Sequence, residues 1–254
     1  MSIARTRPVR RGISANWVPA LRAHAAFIAA ELVLAIAALA LAAVVRAHPG
    51  PLPGEAGLTV AWQDLVRPHP FPTAVIGAVS TFNFPRPARV MIVAVVVVLA
   101  LCRRWLDIAL ALGALWAAST TNSHIGQWVQ RPRPAGHGLF VNRDISDVYS
   151  FPSGHVNHAL VFLGFILFLT FQIRRPAPWL QPVLWLVRIV LLAEVVLMAP
   201  SRVLEGEHWP SDVLAGLLVG GFWLLVAIQV YTPVTRRWPR LVPSNERREV
   251  PGVA

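Results

Sequence analysis

Charge is scarce in this 254-residue chain. Only 14% of its residues are charged, against about 25% in a typical soluble domain, which argues against a soluble globular protein. Cysteine occurs once, as Cys102. That excludes an intramolecular disulfide framework and argues against a Cys-based metal site. Lysine is absent, so the basic excess of +11 is carried by 23 arginines. No tandem repeat is visible. The chain is instead 56% hydrophobic with a mean hydropathy of +0.56, and its apolar residues gather into runs long enough to cross a bilayer. The expected class is an all-α, polytopic membrane protein. Most of the arginines flank apolar runs, where they anchor and orient helices. With no recognition fold beside them, nucleic acid is not an expected partner.

Six spans are expected, near residues 25–45, 87–102, 106–121, 153–173, 179–199 and 211–231. The first is longer than a signal-peptide core and lacks a cleavage site, so it reads as an anchor. Residues 46–86 read as a Pro- and Gly-rich loop, with stretches such as "FPTAVIGAVSTF" suited to the membrane interface. The expected organisation is a basic tail over 1–23, one six-span membrane domain over 24–232 and a second basic tail over 233–254. An even span count puts both termini on one side. That side holds fourteen arginines and the other seven, with Arg46 and Arg188 at or within spans. The positive-inside rule makes the richer side cytoplasmic. The expected location is therefore the cell membrane, with segments 122–152 and 201–211 facing outward.

Those outward segments carry the polar chemistry: "GQWVQRPRPAG" at 126–136, "FPSGH" at 151–155 and "SRVLEGEHWPSD" at 201–212. Pro152 and Ser153 read as the first residues of a helix, whose free N–H groups suit an anion. Arg133 and Arg202 can hold phosphate oxygens by forked hydrogen bonds. If Pro210 opens the last helix, Asp212 can reach back to His208, fix its tautomer and raise the basicity of its other nitrogen. His155 supplies a second imidazole able to protonate a leaving oxygen. Together these residues point to phosphoryl transfer through a histidine.

"RPRP", "FPSGH" and "SR" followed by five residues, His, three residues and Asp resemble the three-part signature of the type-2 phosphatidic acid phosphatase superfamily. That superfamily includes bacterial lipid and isoprenyl-pyrophosphate phosphatases and shares its site with the vanadium-dependent haloperoxidases. The resemblance covers about residues 120–225. It implies His208 as the nucleophile that forms a phosphohistidine, Asp212 as its orienter and His155 as the acid for the leaving group. Arg133, Arg202, Ser153 and Gly154 would hold the phosphate. It implies no metal or other cofactor, and as partners a lipid phosphate substrate and the surrounding membrane lipids. The first motif departs from the pattern: the family has Lys where this chain has Gly126, seven residues before Arg133. Arg131, His124 and Arg143 are the cations that could fill the gap, with Arg131 first as a further phosphate ligand.

The expected activity is hydrolysis of a lipid phosphomonoester or pyrophosphate, of the phosphatidic acid, phosphatidylglycerol phosphate or polyprenyl pyrophosphate type. A lipid phosphotransferase is one alternative, and a non-catalytic lipid-binding or transport protein with a degenerate site is another. Among other polar residues, Glu31, Arg188 and Glu194 fall inside expected spans, where charge is costly. Arg188 and Glu194 fit pairing with neighbouring helices as well as function. Glu205 and Glu207 fit loop solvation better than headgroup selection. The sequence does not specify an oligomeric state.

Overall fold

The computed structural model describes residues 17–142, 149–173 and 176–237. Within them the chain is helical, without strands: α1 (Trp17–Ala47), α2 (Glu55–Val66), α3 (Pro70–Phe82), α4 (Pro85–Leu101), α5 (Trp105–Val129), α6 (Gly154–His158), a π-helical turn (Ala159–Leu163), α7 (Gly164–Gln172), α8 (Leu180–Leu204) and α9 (Pro210–Arg237). Four stretches are long and apolar enough to cross a membrane: His24–Ala47, Gly154–Gln172, Leu180–Leu204 and Pro210–Thr235. The α3–α4 pair, bent by 68°, makes a fifth if taken as one span. A helix stands at each of the six expected places, but α5 carries Ser119, Thr120, Thr121, Asn122, Ser123 and His124 in its second half. Its 25 residues reach about 37 Å at 1.5 Å per residue, so length is not what separates it from the other spans. Apolar spans of this number make the chain an integral membrane protein.

Two expectations need correction. Residues 46–86 are not a loop, because α2 and α3 lie within them. The prolines that suggested irregular chain open helices instead: Pro70 starts α3 and Pro85 starts α4, where a missing N–H costs nothing. Pro152 is not a helical residue. Ser153 is the N-cap of α6, and Pro152 precedes it after a cis peptide bond. α1 begins at Trp17 and α9 runs to Arg237, while their span-length stretches are His24–Ala47 and Pro210–Thr235. The rest of the expected tails lies outside the described residues.

The core sits between α5, the α6–α7 segment and α9, around Ala114, Ala118, Val156, Phe165 and Tyr231. Alanines at 111, 114 and 118 give α5 a flat face for close packing. Gly216 and Gly220, one turn apart on α9, do the same for α6. A Cβ at Gly216 would lie 2.7 Å from the Ser153 carbonyl oxygen, and one at Gly220 would lie 3.1 Å from that of Asn157. The outward faces of α1 and α8 stay apolar and exposed, with Leu32, Val33, Ile36, Leu186 and Ile189 among them, as lipid contact requires. Two of the charges within the spans have polar partners on neighbouring segments: Asn83 donates to Glu194 at 2.8 Å, and Arg188 donates to the Thr170 carbonyl at 2.7 Å.

α2 is too short to span. Its buried face is polar, with Glu55, Thr59 and Gln63 spaced at four-residue intervals. The Gln63 amide donates to the Phe140 carbonyl at 2.8 Å and to the Leu204 carbonyl at 3.0 Å, and accepts the Phe140 N–H at 2.9 Å. The indole of Trp62 donates to the Pro200 carbonyl at 3.1 Å. α2 therefore clips the loop after α5 to the end of α8.

Candidate active site

Four helix ends meet at one end of the bundle: α5 and α8 finish there, and α6 and α9 begin. Pro210 opens α9 as expected and puts Asp212 in the first turn. Oδ2 of Asp212 accepts the Trp209 N–H at 2.8 Å, a capping bond that turns the carboxylate back along the chain. Nδ1 of His208 lies 3.7 Å from the same oxygen, close enough for strong electrostatic coupling and longer than a hydrogen bond. On the other edge of the ring, Nε2 faces Nη1 of Arg133 at 3.4 Å. A guanidinium only donates. The network therefore assigns the lone pair to Nε2 and the proton to Nδ1, toward Asp212. His208 is buried, and burial pushes its imidazole below the ordinary histidine value, while Asp212 pulls it back up and Arg133 and Arg202 add to the fall. A neutral ring with its lone pair at Nε2 is the form a histidine nucleophile needs.

Arg133 is anchored by donating to the Glu207 carbonyl at 2.8 Å. Burial draws its guanidinium down, opposed by the carboxylates of Glu207 and Asp212. The turn that carries Glu207 passes through Gly206 at φ +66°, and a Cβ there would fall 2.1 Å from the Phe140 carbonyl oxygen. Only glycine allows this approach.

His155 stands in the first turn of α6, with its ring edge-on to Phe84 at 6.5 Å between centroids. It feels the charges of Arg202 and Arg133 and the neighbouring His208 and His158. It also lines a cavity of about 50 Å³ whose other walls include Met91, Ile92 and Phe162. Ser153 is buried, and its Oγ has no hydrogen-bond partner among the described residues. Its N–H donates to the Asp212 carbonyl at 2.9 Å, which ties the start of α6 to the start of α9. Asn122 donates to the Pro152 carbonyl at 3.2 Å and Asn157 to the Ala118 carbonyl at 3.1 Å, tying the same segment to α5.

Arg202 lies at this end of the bundle, but its guanidinium is spent on protein partners. It donates to Glu207 at 2.8 Å and Glu205 at 3.0 Å, and also to Ser80 and Ser201. Glu205 and Glu207 are accordingly buried and are not solvated loop residues, which corrects that expectation. Arg131 is also held by protein partners. It is fully buried, and its donors go to Asp212, Ser211, Glu55 and the carbonyls of Pro49 and Gly50. It meets Asp212 on Oδ1, the oxygen away from His208. His124 is exposed, and Arg143 lies outside the described residues. At Gly126 itself a Cβ would lie 3.1 Å from the Phe151 carbonyl oxygen, so α5 packs tightly there against the segment entering α6.

The sequence reading missed Glu55, Ser80, Asn122 and Asn157. None stands in a motif, and only their contacts across 39 or more residues with Arg131, Arg202 and Ala118, or across 30 with Pro152, reveal them.

The PAP2 superfamily model matches residues 104–236. No curated protein matches the chain. Among solved structures, the first transmembrane PAP2 type phosphatidylglycerolphosphate phosphatase from Bacillus subtilis is similar, with a TM-score of 0.63 at 22% identity. The likeness covers 81% of this chain and 98% of that one, and at this identity it is a likeness of fold.

Proposed function

The chain belongs to the PAP2 superfamily, and from that premise we propose that it is a membrane-embedded lipid phosphatase. In this reading it acts on a lipid phosphomonoester or pyrophosphate through a phosphohistidine on His208. The observation that carries the reading is the placement of the His208 ring, with Nδ1 toward Asp212 at 3.7 Å and Nε2 toward Arg133 at 3.4 Å.

In the first half-reaction, the Nε2 lone pair attacks phosphorus. The N–P bond forms as the bond to the lipid oxygen breaks, and that oxygen takes its proton from His155. Positive charge grows on the His208 ring, and Asp212 stabilises it. In the second half, a water oxygen attacks phosphorus and its proton passes to His155. The N–P bond breaks, inorganic phosphate leaves, and both imidazoles return to their starting state. Arg133 supplies positive field to the phosphoryl oxygens, the Ser153 hydroxyl and Gly154 N–H are further donors, and Arg202, paired with Glu205 and Glu207, shapes the wall of the site. The apolar walls of the cavity beside His155 suit the lipid side of the leaving group.

We place six spans in the membrane, both termini in the cytoplasm and the site on the outer face. The arginine distribution, fourteen against seven, supports this sidedness. The function is tested by phosphate release from phosphatidic acid, phosphatidylglycerol phosphate and a polyprenyl pyrophosphate presented to the purified protein. Release from at least one of them, lost in His208→Ala, is expected. Silence of the folded wild type on all three would overturn the proposal.

A further inference from the structure

Asp212 is held from two sides. Oδ1 accepts Nη1 of Arg131 at 2.6 Å, and that nitrogen also donates to Ser211 Oγ at 2.7 Å. Nη2 of Arg131 donates to Oε2 of Glu55 at 2.6 Å. Oε1 of Glu55 accepts the Ser211 N–H at 2.8 Å, and Oε2 also accepts the Leu52 N–H at 2.6 Å. Arg131 and Asp212 are 0% exposed and Glu55 is 7% exposed, so solvent does not screen these contacts.

We infer that Glu55 is a positioning residue for phosphoryl transfer, acting through Arg131 on the carboxylate that faces His208. The inference rests on the proposal that His208 is the nucleophile. Two physical effects support it. Arg131 alone would neutralise Asp212, because a cation 2.6 Å from a buried carboxylate draws most of its field inward. Glu55 balances that cation, so the three groups together keep one negative charge for the imidazolium that develops on His208. Glu55 also grips the first turn of α9 through Ser211, the residue before Asp212. It does not touch His208 in either role. The positioning group comes from α2, outside the matched family region, 157 residues before Asp212 in the chain.

Glu55→Gln removes the charge and keeps the grip on α9, since the amide oxygen can still accept the Ser211 N–H, while its NH2 replaces the oxygen that accepts from Leu52 and Arg131. The expected result is a kcat lower by about 10–100-fold, the usual cost of losing an outer-shell carboxylate, with KM within about twofold because no substrate contact changes. In an Asp212→Asn background, the same change should lower kcat further by less than about twofold, because residues that act through one another are not additive. Wild-type kcat in Glu55→Gln, a raised KM with kcat kept, or a full additional loss beside Asp212→Asn would each overturn the inference. If Glu55→Gln does not fold, Glu55→Asp keeps the charge that balances Arg131, so a kcat within about tenfold of wild type at unchanged KM is expected, and a raised KM with kcat kept, or a kcat loss as large as that of Asp212→Asn, would overturn the inference. A wild-type protein that releases no phosphate removes the nucleophile proposal and this one together. An active wild type with an indifferent Glu55 removes this one alone.

Discussion

Oδ2 of Asp212 stands 3.7 Å from Nδ1 of His208, across the turn that opens α9. The carboxylate is fully buried, and its orientation is fixed by the Trp209 N–H at 2.8 Å. Its contribution is therefore electrostatic: it favours the Nδ1–H tautomer and the charge that grows on the ring. Asp212→Asn keeps the shape and loses that charge. A kcat lower by roughly 10²–10⁴-fold is expected, on the scale of the same change in histidine-based triads. Steady-state phosphate release checks it, and a loss below tenfold would detach Asp212 from the chemistry.

The pH dependence follows from the same pair. Attack requires neutral His208. Burial disfavours the protonated ring and lowers its pKa, so the active form persists as pH falls through the ordinary histidine value of about 6.5. Asp212 acts in the opposite direction and favours protonation. Asp212→Asn should therefore move the acid limb of kcat/KM to lower pH. The ionisation of the substrate phosphate is common to both profiles, so their difference reports the enzyme. A limb moving to higher pH would contradict the assignment.

Arg131→Ala is expected to act on folding. It leaves Glu55 and Asp212 buried without their cation, and breaking such a pair costs about 3–5 kcal/mol. Thermal unfolding of the detergent-solubilised protein should show a large fall in Tm. A variant of wild-type Tm that only binds phosphate more weakly would return Arg131 to the role of a phosphate ligand.

Two glycines make the site possible by letting helices touch. Gly216→Ala puts a methyl group 2.7 Å from the Ser153 carbonyl oxygen. Backbone must move there, at about 1–3 kcal/mol for overpacking. Because Ser153 is bonded to Asp212, kcat should fall along with Tm. Gly126→Lys meets the Phe151 carbonyl oxygen at 3.1 Å, so restoring the family's residue should lower Tm without raising kcat. A Gly126→Lys variant with higher kcat and unchanged Tm would show that α5 tolerates the family's cation.

The motif residues could be read from the sequence because each belongs to a short, local pattern. His208 and Asp212 share one helix start, and the structure brings Arg133 and His155 to the same place. The arginines show where such patterns stop. Arg131 and Arg133 are neighbours in "RPRP", yet one faces inward to carboxylates and the other faces the His208 ring. Nothing in the spacing distinguishes them, because their partners are Glu55, from α2, and Glu207, from the turn before α9. α2 was hidden for a related reason. A polar stripe at Glu55, Thr59 and Gln63 looks like a solvated face, and the end of α8, the start of α9 and the loop after α5 that pack on it make it buried. The prolines near 70 and 85 make residues 46–86 look like a loop because, in sequence alone, a proline that opens a helix and one that ends it look alike.

The most direct test of the account is the covalent intermediate. A lipid phosphate labelled with ³²P in its terminal phosphoryl group, mixed with the protein and quenched within milliseconds, should leave label on the chain. The adduct should be labile to acid and stable to base, as a phosphorus–nitrogen bond is, and peptide mapping should place it on His208. His155→Ala lacks the group that activates the water, so it should carry at least as much label for longer in any turnover it completes. Label on another residue, or label that survives in a folded His208→Ala variant, would contradict the account.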